Sequence, residues 1–134
     1  EAVNTYCKNN GYTDTSMGRM LLEKASANEN YTSARDCSVF LKNIYENKLE
    51  HSEDMLNLLK QQTRTEKIPK GIPSGVETAN KTGELDHVEN DAAIVFDGEN
   101  PYIICVMADN LSDTTEARQR IVDISSVVYE NISK

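Results

Sequence analysis

Basic charge is scarce in this sequence. Its 134 residues carry 14 Lys and Arg against 22 Asp and Glu, which gives a formal net charge of -8. Because no basic stripe exists to release counterions, this balance argues against nucleic acid or an anionic membrane as partner. A starting Met, a signal peptide and an apolar run long enough to cross a bilayer are also missing. We therefore expect mature or excised material forming an acidic domain.

Metal ligands are few as well. Cys7, Cys37 and Cys105 are widely spaced and odd in number, without a Cys-x-x-Cys pair, and His51 and His87 are the histidines available as nitrogen ligands. A metal site and buried, inert thiols are both open readings of these residues, and the spacing favours thiols. We predict no metal and no cofactor.

The length predicts one domain, residues 1–134, that can bury a core. Apolar spacing and cap residues predict helices in its first half. These helices cover Glu1–Asn10, a segment capped by Ser33 and running to Tyr45, and a segment starting near Ser52 and fading at 61–63. Between the first two, the polar stretch Tyr12–Asn30 predicts a long loop pinned to the core by a knot of apolar residues, Met17, Met20, Leu21 and Leu22.

The second half predicts strands and one long helix. A Pro- and Gly-rich link, Lys67–Gly75, leads to an extended stretch, Val76–Glu84. A polar connection after Gly83, a strand Asp91–Phe96, a tight reversal and a strand Pro101–Ala108 follow. Asp113 caps a final helix with one buried stripe, formed by Ala117, Ile121, Ile124, Val128 and Ile132. The predicted fold class is α+β, an antiparallel sheet of about three strands packed against the long C-terminal helix.

The extended stretch ends in Lys81-Thr82-Gly83. A cation, a hydroxyl and a residue without Cβ at a strand end can present a charge, a donor and an open backbone edge to one ligand carboxylate or carbonyl. We expect Lys81 to face a concavity next to the closing helix. The alternative is an exposed strand end with a solvated lysine.

With these motifs in this order, the chain resembles the C-terminal part of class A serine β-lactamases, the group related to penicillin-binding D,D-peptidases. The residues that carry the resemblance are Gly71-Ile72-Pro73, Lys81-Thr82-Gly83, Asp91-Ala92-Ala93-Ile94-Val95 and Glu116-Ala117-Arg118-Gln119-Arg120-Ile121. The resemblance implies a partial β-lactamase-like fold, hydrolysis of β-lactams through an acyl-enzyme, and an extracytoplasmic location.

The nucleophile that the resemblance implies is absent from the chain. No Ser is followed three residues later by Lys, so the Ser-x-x-Lys motif of that family is missing. The first half of a protein of that family would then be absent, on another polypeptide, or removed. Residues 1–134 would be the C-terminal portion of a larger domain. Ser26-Ala27-Asn28 spells the family's second motif, Ser-x-Asn, but in the wrong place, and solvated turn chemistry is the simpler reading.

The resemblance also implies an active-site loop with a Glu two residues after an Arg, which activates the deacylating water. Here Glu23 follows Arg19 by four residues. It is either a displaced general base or a surface carboxylate. Without a well-placed base, the intact protein would resemble a D,D-peptidase or a receptor that acylates and stalls. This chain alone is predicted to be inactive.

By the same resemblance, Lys81, Thr82 and Gly83 bind the substrate, a β-lactam or a D-Ala-D-Ala-type peptide. Glu84 adjoins them, and its charge opposes an anionic substrate unless it turns away. Because Asn90 occupies the strand position where the family often has an Arg, Arg118 is the candidate carboxylate ligand, or else an ordinary surface Arg. His87 is read as a surface imidazole, with a general base as the alternative.

Two rival hypotheses remain open at this point. The chain is either part of an enzyme or a non-catalytic module that binds penicillin or cell-wall peptide. A third hypothesis is an α+β domain in which Lys-Thr-Gly occurs by chance. If strands from a missing half normally pair beside Tyr102–Met107, that edge is open. We therefore expect self-association or pairing with the missing N-terminal portion.

Overall fold

The structure, a computed structural model, describes residues 1–20, 23 and 28–132. The chain forms helices and strands in the order predicted, and the α+β class is confirmed. The elements are α1 (Ala2–Asn9), α2 (Ala34–Tyr45), α3 (Ser52–Lys60), a 3-10 helix (Ile68–Gly71), β1 (Glu77–Leu85), β2 (Val88–Phe96), β3 (Tyr102–Ala108) and α4 (Thr114–Ile132).

The sheet has the strand order β1-β2-β3, with both pairs antiparallel. β1 and β2 are joined by a two-residue turn, Asp86-His87, in which His87 has a φ of 63°. The polar connection predicted after Gly83 is therefore wrong, because Glu84, Leu85 and the residues from Val88 onward continue the ladder. In the part of the chain that the structure describes, the outer edges of β1 and β3 carry no further strand.

Side-chain caps begin α2 and α4 as the sequence predicts. The Ser33 hydroxyl accepts a hydrogen bond from the backbone N–H of Asp36 (3.1 Å). The Asp113 carboxylate accepts from the N–H of Glu116 (3.0 Å). Each bond satisfies a donor that the first helical turn leaves open. The Asp36 carboxylate, itself buried, accepts from Asp14 N and Thr15 Oγ1, both at 2.8 Å, and so ties the loop to α2.

Each face of the sheet buries its own core. On one face α4 and the 3-10 helix cover Ala93, Val95 and Ile104. On the other, α2 and α3 cover Ala79, Ala92 and Ile94. Because successive residues of a strand point to opposite faces, β2 is apolar at nearly every position from Ala92 to Val95.

The buried stripe predicted for α4 is only partly correct. Ala117 and Ile121 are buried, but Ile124 and Ile132 are 45% and 44% exposed. The buried face continues instead through Ser125, whose hydroxyl donates to the carbonyl of Ile68 (2.8 Å). Here the 3-10 helix approaches α4 so closely that a Cβ on Gly71 would lie 2.4 Å from the carbonyl oxygen of Val122. A serine fits this contact and a larger apolar side chain does not.

The loop predicted over Tyr12–Asn30 holds an isolated bridge between Ser16 and Tyr31. The apolar knot predicted there is wrong at Met20, which is 60% exposed. Tyr12 is the buried anchor instead, and its hydroxyl receives a hydrogen bond from Asn43 (3.0 Å). Leu21, Leu22 and most of Ser26-Ala27-Asn28 lie outside the described residues. None of the described helices is long and apolar enough to span a membrane.

Candidate functional site

Lys81, Thr82 and Gly83 lie on the unpaired edge of the sheet, beside a groove of about 690 Å³. Residues of α1, α2 and α3 form its other walls, among them Tyr6, Phe40 and Leu58, which are 48%, 37% and 69% exposed. The prediction that Lys81 faces a concavity next to the closing helix is therefore wrong, because the groove beside Lys81 lies on the face of the sheet opposite α4. Largely apolar clefts with a few polar groups at one side are typical ligand sites.

Within this edge the three residues differ in environment. Lys81 is exposed, and its ammonium donates to the carbonyl of Thr82 (2.5 Å) without a salt bridge to any described carboxylate. Thr82 is buried, and its hydroxyl donates to the carbonyl of Asn90 over 3.2 Å, a long bond that a ligand can replace. A Cβ on Gly83 would meet only Asn90 Cβ, at 3.7 Å, so the approach to this backbone is open.

Behind the edge, on the α4 side, lies an ion cluster of Lys67 and Glu89, which are buried, and Arg118, which is 44% exposed. Lys67 Nζ is 2.7 Å from Glu89 Oε2, a close ion pair without hydrogen-bond alignment. Arg118 Nε and Nη2 each lie 2.7 Å from Glu89 Oε1. Burial works to raise the pKa of Glu89, but the hydrogen bonds from Arg118 and the adjacent charge of Lys67 outweigh it and hold the pKa below its ordinary value. Glu89 is therefore an ionised, structural carboxylate.

Asp91 lies two residues further along β2, on the same face. Its carboxylate accepts from the N–H of Ile68 (3.0 Å) and from the amide of Asn80 (3.2 Å). Burial raises the pKa of Asp91 despite these bonds and the charge of Lys67. This carboxylate anchors the start of the 3-10 helix to the strand that carries Lys81.

Glu84 and Arg118 line a second cavity of about 650 Å³ on the α4 side of the same edge. Glu84 turns toward Arg118, Arg64 and Lys67 rather than toward the groove. Lys81 and Arg118 therefore lie on opposite faces of the sheet. His87 also lines this cavity, and its Nδ1 is 2.7 Å from the carbonyl oxygen of Leu111, which fixes the turn between β1 and β2.

Glu23 is exposed and does not line the groove. Its carboxylate accepts a hydrogen bond from the N–H of Met20 (2.8 Å). Arg19 also makes contacts within this loop. Its Nε lies 2.7 Å from Glu29 Oε2, and its Nη1 lies 2.9 Å from the carbonyl oxygen of Glu23. The structure therefore brings Lys81, Thr82 and Gly83 together, pairs Glu84 with Arg118, and leaves Glu23 apart.

The described residues contain no group of three His, Cys, Asp or Glu side chains that could hold a metal ion. Cys7 is buried, while Cys37 and Cys105 are half-buried, and all three thiols are free. Burial, with smaller contributions from Cys37 and Asp91, raises the pKa of Cys105 to about 12. A thiol with such a pKa is a poor nucleophile and a poor metal ligand at neutral pH.

The model of the Beta-lactamase enzyme family matches residues 1–132, almost the whole chain. The chain belongs to this family. Among curated proteins no match is found. The chain is thus identified as β-lactamase-like, as its motifs suggest.

Solved structures agree with the family in fold. The chain is similar to a β-lactamase from Sphaerobacter thermophilus, with 24% identity and a TM-score of 0.88 over 98% of this chain and 52% of that chain. It is similar to PBP-A, with 24% identity and a TM-score of 0.84 over 96% and 49%. A class A β-lactamase of the last common ancestor of Gram-negative bacteria gives 17% identity and 0.81 over 97% and 54%. This β-lactamase-like chain spans about half the length of the structures it matches.

Sequence reasoning missed Lys67 and Glu89, the centre of the buried cluster behind the β-lactamase-like strand edge. Lys67 stands in a Pro- and Gly-rich link, a context typical of exposed loops, so its sequence gives no sign of burial. Glu89 and Asp91 do carry a signal. Two carboxylates spaced by two residues at the start of an apolar strand point to the same face, and buried carboxylates require cations or hydrogen-bond donors as partners.

Proposed function

We propose that this chain is the substrate-binding portion of a serine β-lactamase-like hydrolase, which opens β-lactam rings through an acyl-enzyme. Its serine nucleophile lies outside these 134 residues. One observation carries the proposal: Lys81 is a cation without a described carboxylate partner, on an open strand edge beside a groove, in a chain of the Beta-lactamase enzyme family.

The chemistry of the edge follows from its three residues. The ammonium of Lys81 and the hydroxyl of Thr82 bind the carboxylate of the substrate by charge-assisted hydrogen bonds. The open backbone beyond Gly83 pairs with the acylamide of the substrate as one more strand. Held in this way, the reactive carbonyl lies within reach of a serine supplied from the far side of the groove.

We infer that the groove takes the polypeptide that carries this serine. The chain matches only about half of its structural relatives, and Tyr6, Phe40 and Leu58 leave a large apolar surface uncovered. The unpaired edge of β3 offers a second contact for the same polypeptide. By itself the chain should associate as its concentration rises. Sedimentation velocity between micromolar and millimolar concentrations tests this, and a monomer throughout would contradict it.

A second candidate function is that of a D,D-peptidase or a penicillin-binding module that acylates and deacylates slowly. The position of Glu23 favours it, because this carboxylate is bonded to Met20 N and does not line the groove. A structure of a PBP-A point mutant, to which the chain is also similar, is an acyl-enzyme complex with penicillin G. For either function we propose an extracytoplasmic location, since cell-wall peptides and β-lactams are met there.

The binding role of the edge is tested on the chain itself. Benzylpenicillin added to the ¹⁵N-labelled chain should shift the amide signals of Thr82 and Gly83. Lys81→Ala should weaken this binding about tenfold, the loss of one charged hydrogen bond. Lys48→Ala, which removes the same charge at a position 58% exposed, should not. Absence of shifts, or equal affinity in all three proteins, would reject the proposal.

Catalysis is tested separately. Because no Ser-x-x-Lys is present, the chain alone should neither hydrolyse nitrocefin nor form an adduct with it. The coding sequence upstream of Glu1 then separates the hypotheses. A Ser-x-x-Lys on a predicted helix favours the enzyme, and another kind of domain favours the binding module.

A further inference from the structure

Three cations surround the carboxylate of Glu84, the residue directly after Lys-Thr-Gly. Arg64 Nη1 lies 3.4 Å from Oε2, Lys67 Nζ lies 3.5 Å from Oε1, and Arg118 Nη2 lies 3.8 Å from Oε2. Convergence of three cations on one point is the usual composition of a protein site for a carboxylate or phosphate. In this chain the anion at that point is one of its own side chains.

Glu84 is held differently from Glu89, the other carboxylate of the cluster. Glu89 is fully buried and has ion pairs of 2.7 Å on both oxygens. The Glu84 side chain is 33% exposed, and none of its three ion pairs is shorter than 3.4 Å. Long pairs between partly exposed groups bind weakly. Glu89 is therefore part of the fold, whereas Glu84 occupies a position that solvent and ligands can reach.

Among the described residues, Glu84 and Glu89 are the two carboxylates within 4 Å of the three cations. The cations are Arg64, Lys67 and Arg118, and the carboxylates that act on them are Glu84, Glu89 and the nearby Glu66. Asp86 and His87 complete the charged or titratable lining of the same cavity of about 650 Å³. With Glu84 in place, a ligand carboxylate entering this cavity finds Arg118, the cation that lines it, already paired with Glu84 and Glu89. Without Glu84, the one described carboxylate that remains within 4 Å of these three cations is Glu89.

We propose that Glu84 is a built-in occupant of an anion site formed by Arg64, Lys67 and Arg118, and that it excludes ligand carboxylates from the α4 side of the strand edge. The ligand preference that follows rests on the proposed function. The anionic group of a substrate binds on the Lys81 side, and the part of the substrate that reaches Arg118 is neutral or cationic. Glu84 is thus a specificity-determining residue of this edge.

The test removes the Glu84 carboxylate from the site and measures whether acetate, a small carboxylate, binds in its place. In Glu84→Ala, sodium acetate at constant ionic strength should shift the side-chain Nε–H signals of Arg64 and Arg118, with an affinity at least tenfold higher than in the unmodified chain. Glu99→Ala is the matched control, because it removes the same charge in the turn between β2 and β3, at the opposite end of the sheet. It should bind acetate no better than the unmodified chain.

A second variant guards against loss of folding. Glu84→Gln keeps the size of the side chain and removes its charge, so it should gain acetate binding to a smaller extent than Glu84→Ala. Acetamide, the neutral isostere, should distinguish none of the four proteins. Equal acetate binding in all of them, or an equal gain in Glu99→Ala, would overturn the proposal.

Acetate binding requires neither a β-lactam nor a serine, so the two proposals can fail separately. A gain in Glu84→Ala together with unchanged benzylpenicillin binding in Lys81→Ala would retain the anion site and reject the substrate role of Lys81. The reverse pattern would retain Lys81 and reject the role of Glu84.

Discussion

The ammonium of Lys67 lies 3.1 Å from the carbonyl oxygen of Gly83, on the strand that carries Lys81. The same ammonium lies 3.0 Å from the carbonyl oxygen of Asn90, the residue paired with Gly83 across the ladder. One buried cation therefore joins β1 and β2 at Gly83, next to Lys81 and Thr82. Its charge is balanced by Glu89, so the backbone at this point is held by a buried ion pair.

Lys67→Met should destabilise the chain by about 3–5 kcal/mol, because it leaves the buried Glu89 with one cation fewer and removes one hydrogen bond from each of two carbonyls. Urea denaturation followed by circular dichroism measures this. Lys48→Met, at a position 58% exposed, should change stability by less than about 0.5 kcal/mol. Amide hydrogen exchange at Gly83 should also accelerate in Lys67→Met. Unchanged exchange there would show that Lys67 does not hold the edge.

Glu89→Gln should lower stability in a pH-dependent way. The folded-state pKa of Glu89 is lowered, so its stabilising effect is present above its unfolded value near 4.5 and is lost as the pH falls through the folded value. The difference in unfolding free energy between the two proteins should be largest at neutral pH and shrink below about pH 4.5. Urea titrations from pH 3 to 7 measure it. A difference independent of pH would contradict the ionised state.

Two glycines give a matched pair. Gly71→Ala places a Cβ 2.4 Å from the carbonyl oxygen of Val122, so α4 must shift, at a cost of about 1–3 kcal/mol. Gly83→Ala meets only Asn90 Cβ at 3.7 Å and should leave the melting temperature nearly unchanged. If Gly83 keeps the edge clear for a ligand, its variant should nevertheless bind benzylpenicillin more weakly. Thermal melts and the same NMR titration check both effects.

Cys105 should react slowly with alkylating reagents. Its pKa is raised to about 12, mainly by burial, so only about one thiol in ten thousand is ionised at pH 8. Iodoacetamide labelling at Cys105, followed by peptide mass spectrometry, should be at least tenfold slower than labelling of glutathione in the same tube. In 8 M urea the rates should converge. Rapid labelling of the folded chain would contradict the burial of this thiol.

The sequence predicts the elements well where local chemistry decides them. Ser33 and Asp113 are cap residues that act within their own first turn, and the apolar run Ala92–Val95 can only be a covered strand. Local chemistry fails at α4, where Ile124 is exposed and Ser125 is buried. That exchange depends on the 3-10 helix more than fifty residues away, which accepts the Ser125 hydrogen bond at Ile68.

The residues of the candidate site also differ in whether local sequence or long-range contacts determine them. Lys81, Thr82 and Gly83 form a contiguous motif, so the sequence alone marks them as candidates, and in the structure all three lie on β1 beside the groove. The partner of Arg118 could not be predicted, because Glu89 comes from a strand that the sequence analysis begins at Asp91, three residues after its actual start at Val88. The burial of Lys67 could not be predicted from the sequence, because it depends on three carbonyl and carboxylate partners from β1 and β2.

The two-residue turn at Asp86-His87 has a consequence for how the molecule assembles. β1 and β2 are neighbours in sequence, so pairing them closes a minimal loop and costs little chain entropy. Contact of the same edge with the α1 wall of the groove must close more than seventy residues. The strand edge that carries Lys81 can therefore form as an independent β-hairpin before α1, the more distant wall of the groove, packs against it.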